Sequence, residues 1–307
     1  MILGGWRSYI TGALTLLKAR RAARCATAYG RELVVAVKEQ VIPLSIATGL
    51  HLDSKFDWME LEVDETGKVF TKLNLAMVDV QADNKTITSL LERSTDNMEK
   101  VINLLRRAEA LEQRYADWLR CLPASWQIQS AGWSDFDAAN LSTSLVYPGR
   151  VDKFGGLWMV NKYNVARSCR ILLWSTILRC IAWLGGPEEY VMSAEYSNGS
   201  RKCRQLIEDI TASVLFYFGW DSETSAAMAN RFEHNAEILL TAKGRAGIFL
   251  LWPLYVAASS DFSLPSERVY LRGKLKFIAE NLRVNQAVIA LRVSVSETFE
   301  ISLETML

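Results

Sequence analysis

The chain of 307 residues is 50% hydrophobic and 10% aromatic, with 22% charged residues. That is enough to bury a real core, and it excludes a largely disordered polymer. The 35 Lys and Arg against 34 Asp and Glu leave a net charge of +1, so no whole-molecule field steers a polyanion, which counts against a nucleic-acid-binding domain filling the chain. With only 6 Pro and 17 Gly, an all-β fold of many tight turns is disfavoured.

Trp6 to Arg20 places Ile10, Ala13, Leu14 and Leu17 at helical spacing. It ends in Lys18, Arg20, Arg21 and Arg24, cations that suit a helix C-terminus better than a nucleic-acid contact lacking any accompanying motif. Arg31 to Leu50 reads as a second helix, with Leu33, Val34, Val37, Val41 and Leu44 on one side and Pro43 expected to bend or end it. Asp53 to Val69 lacks helical rhythm, and Glu65-Thr66-Gly67-Lys68 reads as a turn. A helical face returns at Leu73, Ala76, Met77 and Val80.

Asn84 to Leu119 is the longest periodic run. Ile87, Leu91, Ser94, Met98, Val101, Leu105, Ala108, Glu112, Tyr115 and Leu119 alternate threes and fours, and Leu90, Leu104 and Leu111 widen the stripe. A seam packed within the molecule is expected ahead of a coiled coil. Between Pro123 and Gly156 the chain turns irregular, yet Trp126, Trp133, Phe136 and Tyr147 would be costly to leave wet, so the connection is expected to lie on the helical body. Leu157 to Leu184 is an apolar helix stopped by Gly185, Gly186 and Pro187. Helices follow at Arg201–Phe218, Ser222–Ala242, Gly247–Ser259 and Ser266–Ala290. The expected fold is all-α: a single large domain over residues 1–307, of packed antiparallel helices, with one long irregular connection at about 123–156.

The chemistry-bearing residues are sparse. Cys25, Cys121, Cys169, Cys180 and Cys203 are scattered without a close pair, and His51 and His234 lie far apart, so no metal site and no cofactor are expected. An odd, scattered set reads as reduced thiols of an intracellular protein. Ile248–Ala258 and Ile171–Leu184 are too short for a membrane span or carry Arg179. Met1–Leu17, with Arg7 in its middle, is not expected to be a secretory signal. A nuclear or cytoplasmic protein is expected. His234, on a probable amphipathic helix, reads as a surface residue, and Glu188, Glu189 and Glu195 read as solvated surface charge.

One constellation stands out. Tyr163, Arg167, Arg170 and Trp174 fall on one face of an apolar helix, and a guanidinium there must find a partner. The plainer outcome is an internal ion pair with Asp209 or Glu208. The functional outcome is a ligand pocket in which arginine holds an acidic group while Tyr217, Trp252 and Tyr255 form aromatic walls. No catalytic residue is identified. A cyclase that folds a polyene or terpenoid in such a pocket would need no acid–base motif.

Several motifs then coincide in order. Gly12-Ala13-Leu14-Thr15-Leu16-Leu17-Lys18-Ala19-Arg20, Gly30-Arg31-Glu32-Leu33 with Val37 and Gln40, and Leu104-Leu105 through Trp118, Leu122-Pro123 and Trp126 open the series. Tyr163-Asn164-Val165-Ala166-Arg167-Ser168-Cys169-Arg170-Ile171, Ile207-Glu208-Asp209-Ile210-Thr211-Ala212-Ser213-Val214 and Gly247-Ile248-Phe249-Leu250-Leu251-Trp252-Pro253-Leu254-Tyr255-Val256-Ala257 follow, with Ile278, Val284, Gln286 and Ala287 at the end. Together they resemble the regulatory (middle-homology) domain of fungal zinc-cluster transcription factors, over nearly the whole chain. The resemblance implies an all-α regulatory domain.

Members of that family carry a six-cysteine zinc cluster that reads DNA. Its short Cys spacings are absent here, so DNA binding is carried over to no residue. Three readings stay open: a shortened form of a full regulator, a regulator without its own DNA module, or a regulatory fold turned to biosynthesis. The first expectation is a transcription-regulator-like domain linked to fungal secondary metabolism, acting through a small-molecule ligand or a protein partner. The alternative is the cyclase, and a dimerisation module using Asn84 to Leu119 is a third. No direct nucleic-acid contact and no membrane are expected.

Overall fold

Apolar side chains three and four apart become helix along most of the chain, and the polar residues between those runs supply the caps. The computed structural model describes residues 12–13, 15–16, 27–49, 52, 58, 62, 64–87, 92–134, 140–144, 146–186, 190–219, 244–284, 286–288 and 290–291. The chain divides into two compact units, Met1–Cys121 and Leu122–Leu307. The described residues are mainly α-helical, as expected.

In the first unit, α1 (Ala28–Thr48), α2 (Glu65–Ile87) and α3 (Thr95–Arg120) pack in sequence order, α1 on α2 and α2 on α3. Pro43 neither ends nor interrupts the helical assignment of α1. The turn expected at Glu65–Lys68 is instead the first turn of α2. Asp64 caps it, its carboxylate accepting the Gly67 N–H at 2.6 Å and its carbonyl the Lys68 N–H at 3.1 Å; a short acidic side chain satisfies orphan helix donors as readily as it makes a turn.

The long run from Asn84 to Leu119 is broken for the same reason. Ser94, read as part of the stripe, is the N-cap of α3, and its hydroxyl accepts the Asn97 N–H at 3.3 Å. The buried stripe of α3 is Val101, Leu104, Ala108, Leu111, Glu112, Tyr115 and Trp118, whereas Met98 is exposed and Leu105 and Leu119 are only half-buried. Trp118 stacks on Phe70 at 4.5 Å and donates to the Thr66 carbonyl; Tyr115 donates to Asn74 at 2.7 Å. The anticipated first helix at Trp6–Arg20, His51, and the side chains of Leu33 and Val34 lie wholly or mostly outside the described residues.

The second unit opens with the connection expected to be irregular. It contains a 3₁₀ turn at Ala124–Trp126 and an antiparallel ribbon of β1 (Gln129–Ser134) and β2 (Gly149–Lys153), in register Gln129↔Lys153 to Ser134↔Gly149 with an irregularity between Ser130 and Gly132. Trp133 was expected to be covered but is 72% exposed. It belongs to the largely exposed strand β1, while the buried Val151 and Asp152 belong to β2. Trp126 and Tyr147 are half-buried, and Phe136 lies outside the described residues.

Helix α4 (Leu157–Gly185) is the core of this unit. It ends where the glycines predicted, the Gly186 N–H bonding the Ala182 carbonyl. Around it pack α5 (Ala194–Tyr217) and α6 (Gly244–Ser259); α7 (Pro265–Glu280) packs on α6, and β2 on α5. Helix α5 begins earlier than expected because Ser193 caps it, accepting the Tyr196 N–H at 3.1 Å. Helix α7 stops at Glu280, where Asn281 is the C-cap and Arg283 takes a left-handed φ of 54°. The helix anticipated at Ser222–Ala242, with His234, falls outside the described residues.

By length and composition α4 is apolar enough to cross a membrane. It is nevertheless mostly buried inside its own unit and carries Lys162 and Arg167 among its buried residues, the character of a core helix.

Candidate functional site

The face of α4 that bears Tyr163 and Arg167 meets α5, on which β2 packs, and there the structure assembles a buried polar network. Arg167 is 3% exposed. Its guanidinium donates to Asn164 Oδ1 at 2.8 Å and to the Asp209 carbonyl at 3.1 Å, and its Nε stands 3.8 Å from the Asp209 carboxylate. The Tyr163 ring lies 5.4 Å beneath it. Of the two carboxylates anticipated as partners, Asp209 is the one that pairs.

Two residues the sequence reading missed complete the charges. Arg150 donates to both oxygens of Asp152, at 2.9 and 3.0 Å, and also to Asp209. Asp152 is itself 1% exposed. Arginine and aspartate two apart on a strand share one side of it, but that signal appears only once residues 149–153 are known to be a strand. The cluster of Arg150, Arg167, Asp152 and Asp209 is formally neutral, the condition under which charges tolerate burial.

The ionisation of these groups follows from that arrangement. Burial holds the Arg167 guanidinium below its usual range, while Asp209 and Asp152 oppose the shift. Burial also works against the charge of Arg150, but hydrogen bonds to Asp209 and Asp152 outweigh it and leave the group raised.

Asn164, fully buried, carries the network onward. It donates to Ser213 Oγ at 2.7 Å and to the Tyr217 hydroxyl at 3.3 Å, and Ser213 in turn donates to the Ile210 carbonyl. Burial raises the Tyr217 phenol far above its ordinary value despite the opposing Asn164 and Arg167. Tyr163 donates to the Trp126 carbonyl at 2.8 Å, and burial raises its phenol as well, against the pull of Arg167. Asn164 and Ser213 are the other members missed; their types alone do not mark them out on helices.

The remaining candidates lie elsewhere in the same unit. Trp174 packs over Gly199 of α5, where an added Cβ would stand 2.8 Å from its ring, and the Lys202 ammonium lies 4.8 Å from the ring centroid. Arg170 and Tyr255 are half-buried and make contacts of their own. Trp252 is 8% exposed, and its indole N–H has no acceptor among the described residues. Thus Tyr163, Arg167 and Tyr217 join one network, while Trp174 belongs to a separate α4–α5 contact.

Chemically, the network is a tie. Arg167 donates to Asn164 and to the Asp209 carbonyl, and the charges of Asp209 and Asp152 offset its own. Cys121 is exposed, and Cys169, Cys180 and Cys203 are buried as free thiols. Among the described residues no cluster of His, Cys, Asp and Glu is arranged to hold a metal ion.

No family model matches the chain, and no solved structure matches it. The chain is similar to Transcription factor dbaG of Emericella nidulans, with 26% identity over 185 residues. That stretch is 60% of this chain and 42% of the relative, so the match spans less than half of the relative's length. Over those residues the chain is transcription-factor-like.

Proposed function

We propose that residues 1–307 act as one regulatory module of a transcription regulator, in the nucleus, linked to secondary metabolism and responding to a ligand or protein partner. Contact with DNA is supplied by other residues or by another polypeptide. The observation that carries this reading is the likeness to a transcription factor over 185 residues. The predominantly helical fold is compatible with it, though fold by itself does not assign function.

The buried network weighs against the competing reading of a cyclase. Such an enzyme would use Arg167 to hold a substrate group, but Asp209 and Asn164 already engage it. Releasing it would leave the fully buried Asn164 amide oxygen without its donor.

The test joins the full chain to an unrelated DNA-binding domain in a reporter strain. Reporter output that differs from that of the DNA-binding domain alone is expected. An unchanged reporter, together with conversion of a polyene by the purified chain, would transfer the assignment to the enzyme.

A further inference from the structure

A groove of about 500 Å³ runs along the outer side of α5, lined by Val191, Tyr196, Ser200, Arg201, Arg204 and Glu208 among others. Arg201, Arg204 and Glu208 recur once per turn on α5, so they form one ridge. Both guanidinium groups are exposed. Arg201 donates to Asn198 on its own helix at 3.2 Å, and among the described residues neither arginine has a carboxylate within ion-pair reach. Val191, 50% exposed, lines the same groove, and Met192, 87% exposed, follows it in the chain.

Two exposed cations one turn apart, with no carboxylate in ion-pair contact among the described residues and an exposed apolar side chain in the same groove, point to a particular kind of occupant. A small anion is held best where several donors converge in a dry pocket. Here the donors are strung along a helix and remain in water, which matches side chains spaced along a second helix. The apolar rim adds surface that such a partner would cover. Glu208, at one end of the ridge, repels carboxylates there and so favours one direction of docking.

We propose that this groove docks an acidic, amphipathic helical segment of a partner polypeptide. Its carboxylates pair with Arg201 and Arg204, and its apolar face covers Val191 and Met192. The ridge also touches the buried network, since Gln205 lines the groove and donates to Asp209 at 3.3 Å. The surface adjoins the Arg167 network through Gln205 and Asp209, and the proposed docking does not depend on the regulatory assignment.

The experiment measures fluorescence anisotropy of a labelled synthetic helical peptide, Glu on one face and Leu on the other, titrated with the full chain. Saturable binding that weakens with added salt is expected. The double variant Arg201→Glu/Arg204→Glu should bind roughly tenfold more weakly, and Val191→Ser/Met192→Ser should also weaken binding. All these side chains are exposed, so circular dichroism of the variants should match the parent. The proposal fails if no binding occurs, if the arginine variant binds equally, or if the same peptide with Lys for Glu binds as well. Displacement by millimolar inorganic phosphate would instead mark a small-anion site and overturn it.

Discussion

At the residue scale, the most consequential side chain is Arg167, because its worth depends on what it leaves behind. Replacing it with Ala takes the donor from the buried Asn164 amide oxygen and from the Asp209 carbonyl, while the Asp209 carboxylate, 22% exposed, keeps Arg150. Leaving a buried acceptor without its donor costs about 1–3 kcal/mol, so urea unfolding of Arg167→Ala should show a destabilisation of that order. Removing both charges together, as Arg167→Met/Asp209→Leu, should recover part of it, since a well-packed apolar pair often matches a buried ion pair. A double variant less stable than the sum of its singles would show that the attraction has been misjudged. The sequence exposed half of this network. Arginine on an apolar helix demands a partner, and Asp209 was a natural candidate. Arg150, Asp152 and Asn164 were hidden because their types are ordinary in loops and on helix surfaces; only a fold that brings them against Arg167 and Asp209 makes them informative.

At the scale of elements, two glycines separate tight approach from mere flexibility. Gly273 on α7 lies beneath the Ser142 backbone, and a Cβ there would stand 1.9 Å from the Ser142 carbonyl oxygen. That segment is also held by the Lys274 ammonium donating to the Ser144 carbonyl, by Tyr147 with Ser266 at 2.9 Å, and by Tyr147 against Tyr270 at 5.2 Å. Gly273→Ala should therefore lower stability by roughly 1–3 kcal/mol, the usual cost of forced overpacking, and speed proteolysis within residues 140–148. Gly185, in the last turn of α4, meets nothing within 4 Å. Gly185→Ala should raise stability by roughly 0.5–1 kcal/mol, and thermal unfolding of the two variants reads both signs. Elements were the best-predicted level, and their ends the worst. Helix α4 and its glycine stop were plain in the sequence. Asp64, Ser94 and Ser193 were not read as caps, since the same residue types make turns and interrupt stripes.

For the second unit as a whole, burial of Lys274 writes a pH dependence into stability. The residue is 0% exposed, between the rings of Tyr270 at 5.2 Å and Phe277 at 5.8 Å, and burial lowers its amine from 10.5 to about 8. A lysine depressed on folding carries its full penalty below pH 8, and the penalty fades as pH rises toward 10.5, because the unfolded chain then binds more protons. Stability of this unit should therefore climb between pH 8 and 9, by about 1 kcal/mol. Burial raises the phenols of Tyr147, Tyr163, Tyr190, Tyr217 and Tyr270 too, so their unfolded forms lose protons first near pH 10 and oppose the climb only above about pH 9. Urea midpoints across that interval should rise for the parent and stay flat for Lys274→Met; a flat parent profile would show that the amine keeps its usual affinity for protons.

What the sequence determined alone was the helical class, the positions of the main apolar helices, and the need of Arg167 for a partner. All three follow from local spacing and from the cost of burying charge. Tertiary structure decided the strand pairing of residues 129–153, the rotation of the α3 stripe onto Leu104, Leu111 and Trp118, and the four-charge cluster. Those features join residues far apart in the chain, and only packing brings such partners within reach.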